Sequence, residues 1–429
     1  MSEADHQKRP ARTLTVENFS VIKHAKLEFG KITVLIGPQS SGKSLLCKLA
    51  YFLGHEVINI AIERVVNRFE YGFSDFEAAA KKEFSKWFPR GGWGGEDWTI
   101  VFSSRGYEVS VSAPSNAEPD TEASLSFNEG FKSAYLARAK ATIEHQQKGG
   151  FLIAQAFPSL AAADFMELSG RAVWDISAYI PLERSYFVDA SKGYRALGAE
   201  PDPISANFAV FYANSLNPAS RMKRISRYLK GDLVSWQNGW MLAFHDERFL
   251  PLSHLSSGSK QMLPILAALE YYESERRQSG NLINEELNGH KLYSFDDFTI
   301  EEPEASVFPQ TQYELVREFA ALANEVGFQA HFTITTHSPY ILTAFNDLIK
   351  AGLVAAKRPE KASEIEKVIP RQYWISPGDF AAYAVDGKDG VLRPIMDDDT
   401  KLINGDVLDD ISSDIADQFG QLLEIQYGG

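Results

Sequence analysis

Residues 31–44 read KITVLIGPQSSGKS, and the fold turns on them. KITVLI is a short β-branched run fit for a buried strand, and from Ser44 onward SLLCKLAYFLGHEVINIAIERVVNRF places apolar residues at three-to-four spacing, the period of one long helix or two in series. Between them GPQSSGKS, residues 37–44, matches G-x-x-x-x-G-K-[ST] in the strand–loop–helix setting that the motif requires. Gly37 and Gly42 let the backbone curl through Pro38, Gln39, Ser40 and Ser41, so that successive N–H groups face phosphate oxygens with a helix N-terminus behind them. Lys43 is then placed for β- and γ-phosphates, and the Ser44 hydroxyl for Mg²⁺.

Upstream, LTVENF and KLEF alternate apolar and polar residues as strands do, after a polar tail at 1–12. Downstream, 72–92 is an amphipathic helix ending in WFPRGGWGG, and DWTIVFSSRGYEVSVSAP is a hairpin turning at Ser104, Arg105 and Gly106. Residues 129–172 and 203–230 read as helical, the latter closing on Lys230 and Gly231 as a C-cap. YIPLERS at 179–185 is a strand running into a charged turn. WMLAFHDERFLPLSHL reads as a second hairpin, and SERRQSGNLINEELNGHKLYSFDD as an irregular insertion. FTIEE and FTITTHS alternate with a helix over Gln312–Val326, which predicts a parallel α/β sheet.

FTIEEPE at 298–304 sets two carboxylates at a strand end. Adjacent strand residues face opposite sides, so Glu301 suits Mg²⁺, directly or through water, while Glu302 suits polarisation of an attacking water. Asp297 stands where a wholly apolar strand is expected, and the metal position carries Glu rather than the commoner Asp. His337 follows the next buried-looking strand, from where it can reach the γ-phosphate. LSSGSKQMLPILAAL at 255–269 is a serine–glycine turn before an apolar helix, and a serine hydroxyl with free N–H groups at a helix start suits an anion.

Net charge is −14 over 429 residues, with acid concentrated in MDDDT at 396–400 and DVLDDISSDIAD at 406–417. Such a surface repels a phosphate backbone unless KRPAR at 8–12 or RMKRISRYLK at 221–230 gathers charge locally. The single cysteine, Cys47, excludes an intramolecular disulfide framework and reads as a buried small residue. Every apolar run is interrupted by charge, Gly or Pro, so the expectation is a cytoplasmic chain with no membrane span.

Phosphate loop, serine–glycine turn, E-E-P-E strand and T-H-S-P strand occur in that order, and the set resembles the ABC-type ATPases of the SMC, Rad50, RecF and OLD kind. The resemblance covers residues 13–50, 179–185, 252–270 and 298–345, with the tail to 429 similar to the family's C-terminal end. It implies an α/β, ABC-ATPase-like P-loop fold with a mixed sheet, antiparallel hairpins and a helical insertion or lid. The expected division is an N-terminal lobe at 13–115, the lid at 116–250, a C-terminal lobe at 251–345 and an acidic region at 346–429 packing on the core. LSSGSKQ becomes the signature, in which Ser256, Ser257 and Gly258, with Lys260 and Gln261 nearby, cap the γ-phosphate of ATP held by another protomer. Ser257 stands where many such proteins have a second glycine, and the D-loop falls at Ala305–Phe308.

Arg184 contacts nucleotide or a partner protomer, or else makes a buried ion pair with Glu183 or another acid. Residues between the phosphate loop and the signature lack sustained heptads, so a DNA-tethering arm is not expected. Asp397, Asp398 and Asp399 imitate part of a metal-dependent nuclease site but read as a solvated turn. Within the family, the resemblance to the ATPase of PARIS-type anti-phage systems implies a homo-oligomer that binds and hydrolyses ATP. It also implies a phage-encoded trigger and a separate nuclease effector. A RecF-like repair ATPase acting on DNA and a nearly inert nucleotide-bound scaffold are the alternatives.

Overall fold

The computed structural model describes residues 12–67, 72–104, 106–114, 122–147, 176–189, 202–216, 222–236, 239–283, 295–325 and 329–404. The first three strands are β1 (Arg12–Phe19), β2 (Ile22–Phe29) and β3 (Ile32–Ile36), and β3 feeds the helix Lys43–Tyr51. After the helix Phe73–Trp87 come β4 (Gly94–Ser104), β5 (Tyr107–Ser112) and β6 (Ser124–Phe127), then the helix Glu129–Gln147 and β7 (Ala178–Ile180). Helices Pro203–Ser215 and Lys223–Leu229 precede β8 (Gly231–Trp236), β9 (Gly239–Phe244) and β10 (Phe249–Pro251). The helix Ser257–Ile283 leads to β11 (Phe295–Glu301), the helix Pro309–Asn324 to β12 (Gln329–Thr336), and the helix Pro339–Lys357 to β13 (Phe380–Val385) and β14 (Leu392–Pro394).

These strands make three sheets. A central one has the order β14-β13-β3-β12-β11-β7, parallel throughout except for antiparallel β14. An antiparallel sheet runs β2-β1-β4-β5-β6, and a small one runs β10-β9-β8. The mixed α/β architecture with antiparallel hairpins agrees with the sequence reading.

β3 is buried over Ile32–Leu35 because it lies inside the sheet with helices on its faces, the burial that makes parallel strands continuously apolar. One core packs the central sheet against the long helix beginning at Ser257 and the helices Pro309–Asn324 and Pro339–Lys357. A second joins the antiparallel sheet to the helices that begin at Lys43 and Phe73, with aromatic contacts such as Phe19–Trp98 and Phe52–Phe84.

The run Lys43–Val65 is, by length and composition, apolar enough to cross a membrane, contrary to the expectation that charge or glycine breaks every such stretch. Its Leu46, Cys47, Leu49, Phe52, Leu53 and Val57 are buried in the second core, which accounts for the apolarity. Two π turns, Phe52–Glu56 and Glu63–Asn67, interrupt this helix around the segment Val57–Ile62.

Several boundaries differ from the sequence expectation. Arg12, assigned to the tail, opens β1. The supposed insertion after Glu273 is helical to Ile283 and ends in β11, leaving only 284–294 outside the described residues. Lys230 itself takes the left-handed cap conformation (φ 55°), while a Cβ on Gly231 would meet the Ala243 carbonyl oxygen at 2.6 Å. The helical lid also contributes strands, β6 to the antiparallel sheet and β7 to the central one, and β13 from the C-terminal region pairs directly with β3. Arg105, residues 148–172 of the expected 129–172 helix and the acidic stretch 406–417 lie outside the described residues.

Asp297, out of place in an apolar strand, is paired, and so is its neighbour Asp296. Asp296, fully buried, accepts from the Arg276 guanidinium and from the Ile176 N–H, and Asp297 meets Arg12. Removing one member of a buried pair strands the other charge at a cost of about 3–5 kcal/mol. Asp296→Ala is expected to lower unfolding free energy by about that amount, measured by urea denaturation. A loss below ~1 kcal/mol would mean that Arg276 finds water or another acid.

Candidate nucleotide site

The carboxyl ends of β3, β11 and β12 meet along one edge of the central sheet, because the parallel register sets Ile36 beside Thr336 and Glu301 beside Thr335. The phosphate loop leaves that edge from β3, the paired acids end β11, and His337 follows β12. Such an edge is where parallel α/β sheets place their ligands.

In the loop, Ser40 is left-handed (φ 59°), and Gly42 holds φ 103° immediately before the helix. A Cβ on Gly37 would lie 2.5 Å from the Val385 carbonyl oxygen, and one on Gly42 would lie 2.5 Å from Ile22 Cδ1. The loop therefore lies between β13 and the β1–β2 turn; the backbone facing Gly37 makes glycine a packing requirement there, and the positive φ of Gly42 makes it a conformational one. Lys43 Nζ donates to the carbonyls of Gly37 and Pro38, both at 2.8 Å, and stands 3.1 Å from His337 Nε2. Burial pushes its ammonium below the ordinary value, and Glu302, Cys47, Glu304 and Glu301 oppose that shift. Ser41 Oγ is buried with no hydrogen-bond partner among the described residues, while Ser44, Pro38 and Gln39 are exposed.

The two carboxylates differ in setting. Glu301 is buried and accepts from the Tyr179 hydroxyl (2.6 Å) and the Leu182 N–H (3.1 Å). Glu302 is half-buried, and its Oε1 lies 3.2 Å from His337 Nε2. One imidazole nitrogen thus faces both the Lys43 ammonium and the Glu302 carboxylate, and it can serve only one of them at a time, as acceptor or as donor. Glu302 is left-handed (φ 41°), a costly conformation for a residue with a side chain, and its N–H donates to the Thr335 carbonyl at 2.9 Å.

Three groups here escaped sequence reasoning. Glu304 Oε1 accepts from the His337 N–H (2.6 Å) and the Thr336 hydroxyl (2.8 Å), and burial raises the pKa of the carboxyl. Tyr179 aligns Glu301, and burial pushes its phenol well up. The turn at 386–390 sits against the phosphate loop, since a Cβ on Gly387 would touch Pro38 at 3.5 Å. EEPE was visible as an acidic cluster, but the other two come from β7 and β13, whose pairing no local pattern announces.

Arg184 makes no carboxylate ion pair among the described residues. It is fully buried, and its Nη1, Nη2 and Nε donate to the main-chain carbonyls of Glu301 (2.6 Å), Pro181 (3.1 Å), Glu302 (2.8 Å) and Gln261 (2.9 Å). At the signature, Ser256 caps the helix, its Oγ accepting from the Ser259 N–H at 3.2 Å, while Ser257 is exposed. A Cβ on Gly258 would meet the Ser306 carbonyl oxygen at 2.7 Å, so the signature helix lies hard against the 305–308 turn. Lys260 and Gln261 are half-buried, with Gln261 Nε2 donating to Ser185 Oγ at 3.4 Å. Asp397 forms an exposed turn, accepting from the Asp399 and Thr400 N–H groups.

For Mg²⁺ the chain offers the Ser44 hydroxyl and the Glu301 carboxylate, and among the described residues no group of three or more acids, histidines and cysteines is placed to hold a metal ion by itself. Two hard oxygen donors fit an ion that keeps several waters and takes its other ligands from phosphate. Cys47, buried one turn into the loop's helix, has its thiol pKa raised by burial, which keeps it protonated and inert.

Residues 202–342 match the model of the AAA ATPase domain, a stretch that holds the signature, both acids and His337 but not the phosphate loop. An ATPase domain of that description implies ATP binding and hydrolysis. Solved structures similar to it include the SMC head domain from Thermotoga maritima, at 12% identity over 78% of this chain and 92% of that one (TM-score 0.33). The Smc head domain from Pyrococcus furiosus, carrying an extended coiled coil and bound to the C-terminal domain of ScpA, shows 11% identity over 90% and 96% (TM-score 0.36). The recombination mediator protein RecF shows 10% over 91% and 100% (TM-score 0.31). No curated protein matches the chain significantly.

Gly37→Ala tests the packing of the loop. The added carbon must push the loop away from Val385, so affinity for a fluorescent ATP analogue is expected to fall at least about tenfold, or ~1.4 kcal/mol. Unchanged affinity would show that β13 yields instead.

Proposed function

We propose that the chain is an ATP-driven assembly switch in which each protomer holds ATP on its own phosphate loop and offers its signature turn to the ATP of another. The observation that carries this reading is the contact line Lys43–His337–Glu302, at 3.1 and 3.2 Å, on one edge of the sheet. It is paired with an exposed serine turn at 256–257 whose anion-suited helix start faces solvent. Phe308 and Tyr340, 77% and 57% exposed, flank the D-loop turn and the histidine and supply apolar area for a homo-oligomeric contact.

In this reading the loop N–H groups and Lys43 bind the phosphates, and Glu302 orients and deprotonates the attacking water. His337 senses the γ-phosphate by exchanging its Lys43 and Glu302 contacts. Magnesium, when bound, would supply positive charge to offset that of the transferring phosphoryl group. Ser44 and Glu301 would hold it, Glu301 mainly through water because both its oxygens already accept hydrogen bonds. The motif resemblance to PARIS-type ATPases supports a further step: nucleotide state sets the release of a separate nuclease effector in answer to a phage-encoded trigger.

Glu302→Gln is expected to keep ATP affinity while phosphate release drops about a hundredfold or more, and to accumulate an ATP-dependent oligomer seen by light scattering. Ser257→Trp in that background should abolish the oligomer but not ATP binding to dilute protein. A monomer at every ATP concentration would overturn the switch, and tight, salt-sensitive DNA binding by the chain alone would redirect it to repair.

A further inference from the structure

Arg184 is a buried guanidinium whose hydrogen bonds go to main-chain carbonyls of three separate motifs. Nε reaches Gln261 in the first turns of the signature helix, Nη1 and Nη2 reach Glu301 and Glu302 at the end of β11, and Nη1 also closes its own turn on Pro181. Four carbonyls facing one planar fork is a geometry that arginine fills and lysine, a single ammonium, does not. Burial lowers its pKa to about 10, with Glu304, Glu301, Glu302 and Glu183 opposing, so it stays cationic at neutral pH.

Each end of this bridge carries a local feature that loosens it. Glu302 sits in a left-handed conformation that relaxes unless something holds it, and what holds its carbonyl is Arg184. At the other end, Pro264 lies inside the signature helix. Proline has no N–H to give the carbonyl four residues earlier, that of Lys260, so the turn at 257–263 is tied less firmly to the rest of the helix. A shift in the Glu302 backbone therefore reaches Gln261 through one rigid group.

We propose that Arg184 is a positioning residue that transmits the nucleotide state of a protomer's own phosphate site to the signature turn the protomer presents to its neighbour. The proposal rests on the assembly reading above, and it supplies that reading with its coupling element. Coupling of this kind is reciprocal: if ATP strengthens assembly, assembly strengthens ATP binding by the same factor.

The test uses the full chain in the Glu302→Gln background. Affinity for a fluorescent ATP analogue is measured at protein concentrations below and above assembly, with Arg184 intact and as Arg184→Lys. With arginine, affinity should rise at least about fivefold between the two regimes. With lysine, affinity of the dilute protein should stay within about threefold while the rise disappears, a loss that ordinary destabilisation seen in Tm does not produce. An equal rise in both proteins overturns the proposal.

Should Arg184→Lys fail to fold, hydrogen exchange on the Glu302→Gln protein alone decides. Saturating ATP at sub-assembly concentration should slow exchange at amides 257–263, and unchanged exchange there overturns the proposal. If the arginine protein never assembles with ATP, the switch reading fails instead, and this exchange result still judges Arg184 separately.

Discussion

The parallel pairing of β3 with β12 fixes where chemistry can take place. With Ile36 opposite Thr336, the next residues on the two strands, Gly37 and His337, leave the sheet side by side. With Glu301 opposite Thr335, the acidic pair arrives at the same level. A slip of one residue in either pairing would turn alternate side chains to the other face. The buried strands β3, β12 and β11 therefore do more than fill the core, because their register places the lysine, the carboxylates and the histidine close to one another.

Charge at this edge is arranged so that each carboxylate has a separate task. Glu301 is held through both oxygens by a phenol and an amide, Glu304 through Oε1 by the amide and hydroxyl around His337 with Oε2 buried and unpartnered among the described residues, and Glu302 is held by its contact with the His337 ring. Three acids packed around one lysine would repel each other severely if all were bare. Hydrogen bonding two of them to the frame leaves the third to the histidine. Gln312 extends the frame, its amide donating to the Val307 carbonyl and its Oε1 accepting from Ser338, which ties the turn after β11 to the turn after β12.

The sequence discloses what is local. GPQSSGKS, the alternation in the strands and the β11–helix–β12 unit are patterns within one segment, where spacing translates directly into geometry. It conceals what depends on distant pairing. YIPLERS reads as a strand and a charged turn, but that its tyrosine meets Glu301 and its arginine meets three main-chain motifs follows from β7 pairing beside β11. Likewise, buried Asp296 looks like a flaw in β11 until Arg276 from the helix before it is in place. Polar residues inside a core are intelligible only with their partners, and here the partners come from elsewhere in the chain.

The order of strands in the central sheet also bears on how the protein is made. β3, at residues 32–36, lies between β12 at 329–336 and β13 at 380–385. A nascent chain growing at about 5–20 residues per second exposes β3, with its phosphate loop, for tens of seconds before either neighbour emerges from the ribosome. Val385 packs on the loop and His337 meets Lys43, so these distant contacts of the loop form only after β12 and β13 are made. Until then the apolar β3 waits without its neighbours, the segment for which chaperones and aggregation would compete.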